Sequence, residues 1–131
     1  MRFVVDTSVL VAIALDEPER TSFIDRILGA EKALISAVSM LEAGIVLSAR
    51  LRGFEETSLM NLIDGLGIAV IPFDSGQSEQ ALAAYRRFGK GFNPQARLNL
   101  GDSIAYALAK TLSLPLLFKG DDFAATDINR A

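Results

Sequence analysis

Short uninterrupted apolar runs alternate along this chain with longer stretches whose apolar residues recur at helical spacing. Phe3–Val5 is a β-rich run, and Asp6-Thr7-Ser8 supplies a helix-start signal ahead of the apolar stretch Val9–Leu15. Phe23, Ile24, Ile27 and Leu28 share one helical face, which predicts a second helix opening at Pro18 and ending at Gly29. Ala33–Ile35 predicts a second strand. Ser36 then opens a long third helix through Met40, Leu41, Ile45, Val46 and Leu47, closed by Arg50, Arg52 and Gly53. Glu55–Leu66 predicts a fourth helix, and Ile68–Ile71 a third strand stopped by Pro72. Asp74-Ser75-Gly76-Gln77 resembles a capping box and begins a helix to Phe88. Gly89–Arg97 reads as a loop, Leu100–Leu112 as a helix and Leu114–Phe118 as a fourth strand, with a further edge strand expected near Ile128.

Strands alternating with one or two helices predict an α/β fold: a short, mostly parallel central sheet with helices on both faces. The strands are continuously apolar, as strands covered on both faces should be. Nothing resembles a linker or an internal repeat, so residues 1–131 are expected to form one domain. In such folds ligands collect beyond the carboxyl ends of the strands.

Composition narrows the chemistry. There is no cysteine and no histidine, which excludes thiol nucleophiles, Ser-His-Asp triads, histidine-based ribonuclease chemistry and Cys/His zinc sites. Catalysis would have to use carboxylates, hydroxyls, Lys, Arg, Tyr, or a metal held by oxygen. The net charge of −3 argues against nucleic-acid coating by bulk positive charge, though not against a local basic surface. No apolar run approaches the ~20 residues that cross a bilayer, and Asp6 interrupts the start too early for a secretory signal. A cytoplasmic protein is the expectation.

Within this apolar background three acids stand alone. Asp6 is the only charged residue between Arg2 and Asp16, Glu42 between Lys32 and Arg50, and Asp102 between Arg97 and Lys110. Asp121 and Asp122 follow the fourth strand directly. Each acid also has a structural reading. Asp6 can N-cap the first helix, Glu42 lies three residues after Ser39, Asp102 three after Asn99, and Asp121-Asp122 can be ordinary loop acids. Capping does not require that the lone acids share apolar surroundings, however. Strand ends and helix starts of a parallel sheet meet at one edge, so the four sites can converge there. Converging carboxylates repel and take up protons unless a cation is present. Oxygen ligands without His or Cys select Mg²⁺ or Mn²⁺, an ion suited to phosphoryl chemistry. Thr7 and Ser8 can orient these carboxylates or cap the helix.

A local reversal of charge adds to the picture. No acid occurs from Gln80 to Gly101, but Arg86, Arg87, Lys90 and Arg97 do, with Tyr85, Phe88 and Phe92 among them. The bases, and Lys119 near the paired acids, suit phosphate contact; the aromatics suit either core packing or base stacking.

These residues resemble the PIN-domain ribonucleases, specifically the VapC-type toxins of bacterial toxin–antitoxin pairs. The likeness rests on Val5-Asp6-Thr7-Ser8 after the first strand, Glu42 in the third helix, Leu100-Gly101-Asp102-Ser103 opening a late helix, and Pro115–Phe123. It covers nearly the whole chain. The resemblance implies a PIN-like fold and a Mg²⁺- or Mn²⁺-dependent endoribonuclease acting on RNA, often tRNA or ribosomal RNA. It further implies a homodimer neutralised by a VapB-type antitoxin whose C-terminal segment lies near the acidic site. Carried over, Asp6 and Asp102 are the metal ligands, and Glu42 and Asp122 complete a catalytic quartet, with Asp121 the alternative to Asp122. Two other readings compete: a receiver-like phospho-acceptor domain using Asp74, and a non-catalytic partner-binding relative.

Overall fold

A computed structural model describes residues 1–131. Four strands form one parallel sheet: β1 (Arg2–Val5), β2 (Lys32–Ser36), β3 (Ile68–Ile71) and β4 (Leu116–Leu117), in the order β3-β2-β1-β4. Six helices connect them: α1 (Thr7–Ala14), α2 (Arg20–Leu28), α3 (Ala37–Arg50), α4 (Glu56–Gly65), α5 (Ser75–Phe88) and α6 (Leu100–Leu112). The central strand alternates between two cores. Phe3 and Val5 face one side with Leu10, Ile13, Leu47 and Ile63; Val4 faces the other with Phe88, Leu108, Leu116 and Phe118. Coverage on both faces explains why β1 and β2 are apolar at successive positions, whereas the edge strand β3 is only partly buried.

Several element boundaries differ from expectation; the third helix stops at Arg50 with Leu51 as its C-cap, short of Gly53. The second helix begins at Arg20 rather than Pro18, because residues 18 and 19 form a turn and Arg20 reaches back to the Ile13 carbonyl at 2.9 Å. The fourth strand is two residues long instead of Leu114–Phe118, since β1 offers it only Val4 and Val5 as partners. The expected edge strand near Ile128 is a single bridge between Arg130 and Leu116. There the tail is fastened by side chains. Asp127 accepts a hydrogen bond from the Tyr106 hydroxyl at 2.5 Å and meets Lys110 at 3.1 Å and Arg87 at 3.5 Å. No helix is long and apolar enough to cross a membrane.

The strand order reverses between β1 and β4, and a crevice opens at such a point beyond the strand ends. Asp6 leaves β1 there and Asp121-Asp122 follow β4.

Candidate active site

Asp6 is built into the start of α1. Its Oδ2 accepts the Ser8 backbone N–H at 3.1 Å and the Ser8 hydroxyl at 2.6 Å. The same hydroxyl accepts the Lys119 backbone N–H at 3.0 Å, so Ser8 stitches the end of β1 to the segment after β4. Thr7, also buried, donates to the Ser39 carbonyl of α3 at 3.1 Å. Both hydroxyls therefore fix the relative position of three elements around Asp6.

Asp102 repeats the arrangement at α6. Its Oδ2 accepts the Asn99 N–H at 3.0 Å while the Asn99 side chain accepts the Asp102 N–H at 2.8 Å, a reciprocal capping box. In both aspartates the cap uses one carboxylate oxygen, and Oδ1 makes no hydrogen bond. Capping therefore does not exclude a ligand role, which the two readings along the chain set against each other: it leaves one oxygen of each carboxylate unengaged.

Glu42 lies in the second turn of α3, where no capping box operates because Ser36 caps that helix through the Val38 N–H. Its carboxylate rests directly on Gly101. A Cβ at that position would stand only 2.0 Å from Glu42 Oε2. The absent side chain of Gly101 is what lets the acid of α3 reach the residue next to Asp102. Reading along the chain identifies Gly101 only as part of a motif, because the contact joins residues of two helices far apart in sequence.

The electrostatics follow from this convergence. Asp6 and Asp102 are 4% and 8% exposed, and burial is the main reason their carboxyls are pushed up to about 6 and about 7 from an ordinary 3.8. The charges of Glu42 and Asp122 raise both further, and Asp6 also raises Asp102, against the opposing hydrogen bonds from Ser8 and Asn99. Asp121 is not among the acids acting on them; both it and Asp122 are exposed. None of these five acids takes part in an ion pair. No three of them close on a common point at ligating distance.

The other candidates separate. Lys119 is occupied by Glu17 and Glu19, each at 3.3 Å, which removes it from free phosphate contact. Arg87 pairs with Asp127 and lies over the Phe88 ring. Phe88 is core, Tyr85 is half-buried, and Phe92 is 62% exposed. Lys90 and Arg97 are exposed and unpaired beside Phe92. Asp74, the alternative phospho-acceptor, caps α5 through the Gln77 N–H at 2.9 Å and is not among the acids that raise Asp6 or Asp102.

Comparison with known proteins agrees with this geometry. The PIN domain family model matches residues 3–129. Ribonuclease VapC28 of Mycobacterium tuberculosis is 40% identical over 128 residues, covering 98% of this chain and 96% of that protein. Among solved structures, M. tuberculosis VapC20, described as a sarcin-ricin loop cleaving toxin, superposes with a TM-score of 0.79 at 14% identity over 98% of each chain. A toxin–antitoxin complex from Klebsiella pneumoniae gives a TM-score of 0.71 at 17% identity, covering 95% of this chain and 92% of that one. The parallel sheet, the acids gathered at its strand-order reversal and these likenesses place the chain in the PIN-domain family, among the VapC ribonucleases.

Proposed function

We propose that this chain is a divalent-metal-dependent endoribonuclease, the toxin of a toxin–antitoxin pair, acting on tRNA or ribosomal RNA. The observation that carries the reading is the meeting of buried Asp6 and Asp102 with Glu42 and Asp122 in the absence of any cationic partner. Buried carboxylates without a counter-charge are costly unless they are protonated or bind a cation. The donor set fits Mg²⁺ or Mn²⁺. It is all oxygen, and Asp6 and Asp102 each keep Oδ1 unengaged, which matches ions held through one or two carboxylates and water. Asp6 and Asp102 would hold it directly, and Glu42 and Asp122 through water. When bound, the ion lowers the pKa of the attacking water and offsets charge on the leaving oxygen.

The chain's own groups do the rest. Water attacks phosphorus in line, its proton passes to the Glu42 carboxylate seated on Gly101, and the bond to the 3′ oxygen breaks; that oxygen takes a proton from solvent water, leaving a 5′-phosphate and a 3′-hydroxyl. Ser8 and Asn99 keep the two aspartates aimed by holding their Oδ2 atoms. Asp6→Asn and Asp102→Asn should each abolish RNA cleavage in Mg²⁺ while circular dichroism shows the fold retained. Near-normal cleavage by either variant, or undiminished cleavage in EDTA, would contradict the assignment.

The antitoxin and a second copy of the chain are the proposed partners. Supporting this, Leu41, Ile45 and Met60 are each more than half exposed along a cavity of about 770 Å³ between α3 and α4. Leu82 and Leu100 lie open beside a second cavity between α5 and α6. Apolar surface of this extent is what partner chains cover.

A further inference from the structure

The loop between α5 and α6 is ordered by its own hydrogen bonds and carries two bases without an acidic partner, Lys90 and Arg97, and a mostly exposed ring, Phe92. Lys90 N–H donates to the Leu98 carbonyl at 2.8 Å and Leu98 N–H to the Phe88 carbonyl at 2.9 Å, closing the base of the loop. Asn93 Oδ1 accepts the Gln95 and Ala96 N–H groups at 2.8 and 2.9 Å, and its Nδ2 donates to the Arg87 carbonyl at 3.1 Å. Two glycines permit the path. A Cβ on Gly89 would stand 2.3 Å from the Tyr85 carbonyl oxygen, and Gly91 turns the chain at φ +92°. Arg97 is held in the left-handed region at φ 54°, a conformation that costs a non-glycine residue about 1 kcal/mol or more.

This framework presents a cavity of about 420 Å³ lined by Lys90, Gly91, Phe92, Asn93, Pro94 and Arg97. Its charges are all positive, and neither Lys90 nor Arg97 has an acidic partner. Phe92 meets the Tyr85 ring edge-on at 5.9 Å yet stays 62% exposed. An exposed aromatic ring between two unneutralised bases, in a protein of net charge −3, has little to gain from the folded core. It matches what single-stranded nucleic acid needs: a ring for a base and cations for the flanking phosphates. The loop also runs straight into the site. Arg97 is five residues from Asp102, at most ~18 Å between backbones even if that segment were fully extended.

We infer that this loop is a substrate subsite for one unpaired nucleotide of the RNA, its base stacked on Phe92 and the neighbouring phosphates held by Lys90 and Arg97. Duplex RNA keeps its bases stacked inside and cannot offer one to the ring, so the subsite selects single-stranded or looped RNA. The inference rests on the ribonuclease reading and adds to it a strand-selecting element outside the acidic cluster.

Binding and turnover test it separately. In an Asp6→Asn background, fluorescence anisotropy would follow a labelled single-stranded RNA and the same sequence as a duplex, across a salt series. Phe92→Leu, which keeps apolar bulk but removes the ring, should weaken single-strand binding at least about five-fold, and Phe92→Tyr should keep it. Lys90→Ala with Arg97→Ala should lower the slope of log affinity against log salt by about 1.4, roughly 0.7 for each phosphate contact. In the otherwise unaltered enzyme, Phe92→Leu should raise KM with little change in kcat, as expected for binding energy shared by ground and transition states. Unchanged binding by Phe92→Leu, equal affinity for duplex, or an unchanged salt slope would each overturn the subsite. If RNA is nevertheless cleaved, the nuclease assignment stands without it. A loop serving a protein partner instead would leave every RNA measurement untouched, which is the same refutation. If the parent protein neither binds nor cleaves RNA, both readings fall together.

Discussion

Raising the pH from about 4 to about 7 should destabilise the metal-free protein. Asp6 has its carboxyl at about 6 in the fold against an ordinary 3.8, chiefly because burial disfavours the ionised form. Below pH 3.8 the group is protonated in both folded and unfolded chains, and the fold keeps its full advantage. As pH climbs, the unfolded chain ionises first, and stability is lost progressively until the folded group also ionises near pH 6. The difference between 3.8 and about 6 corresponds to about 3 kcal/mol at about 1.4 kcal/mol per pH unit. Asp102, at about 7, extends the loss to higher pH, although part of its rise comes from Asp6 itself, so the two contributions overlap. The chain has no histidine or cysteine, so no side chain at its ordinary pKa titrates between pH 5 and 8.

Urea titrations in EDTA at 25 °C would read this directly. Unfolding free energy should fall by a few kcal/mol from pH 5 to pH 8, equivalent to roughly 10 °C in melting temperature for a domain of this size. Asp6→Asn should remove about half of the decline up to pH 6, since Asp102 contributes over the same range, and Asp6→Asn with Asp102→Asn should flatten the curve. Millimolar Mg²⁺ should restore stability at pH 8 and do little at pH 5, where protons already occupy the carboxylates. A stability that stays level or rises between pH 5 and 8 in EDTA would refute the account of the site as buried acids awaiting a cation. So would a decline that survives the double substitution.

Two further substitutions probe how the acids are held. Gly101→Ala places a methyl where the Glu42 carboxylate lies, so cleavage should drop at least about ten-fold as the flexible side chain swings away. Melting should nevertheless stay within a few degrees or improve, because alanine favours a helix over glycine by roughly 1 kcal/mol. Ser8→Ala removes both the 2.6 Å bond to Asp6 and the acceptor for the Lys119 N–H. It should cost about 1–2 kcal/mol. It should also move the Asp6 carboxyl upward, since the Ser8 bonds oppose its rise; carbon-13 NMR titration of the carboxylate would show the change.

How much of this was legible in the residues themselves depends on the range of the interaction involved. The third, fifth and sixth helices start close to where their caps predict, because Ser36, Asp74 and Asn99 accept from N–H groups two or three residues away. The lone acids could be picked out because burial is written locally, in the apolar residues on either side of Asp6 and Asp102. That capping leaves room for a second role was not legible, since only geometry shows that it engages Oδ2 and spares Oδ1. Partnerships between distant segments were hidden for the same reason. Lys119 suits phosphate contact in the sequence but is held by Glu17 and Glu19 in the fold, and Gly101 is legible only as part of a helix-opening motif, not as the seat of Glu42.

The pattern points to a division of labour in the architecture. Local signals suffice to start each helix at the carboxyl edge of the sheet, and those same start residues become the floor of the site. Asp6 and Asp102 are therefore constrained twice, once by the helices they cap and once by any cation they would bind. Glu42 and Asp122, which cap nothing, answer only to the second demand. Isosteric Asp→Asn changes keep a side-chain acceptor for the cap and remove the charge, which is why they separate folding from chemistry more cleanly than alanine can.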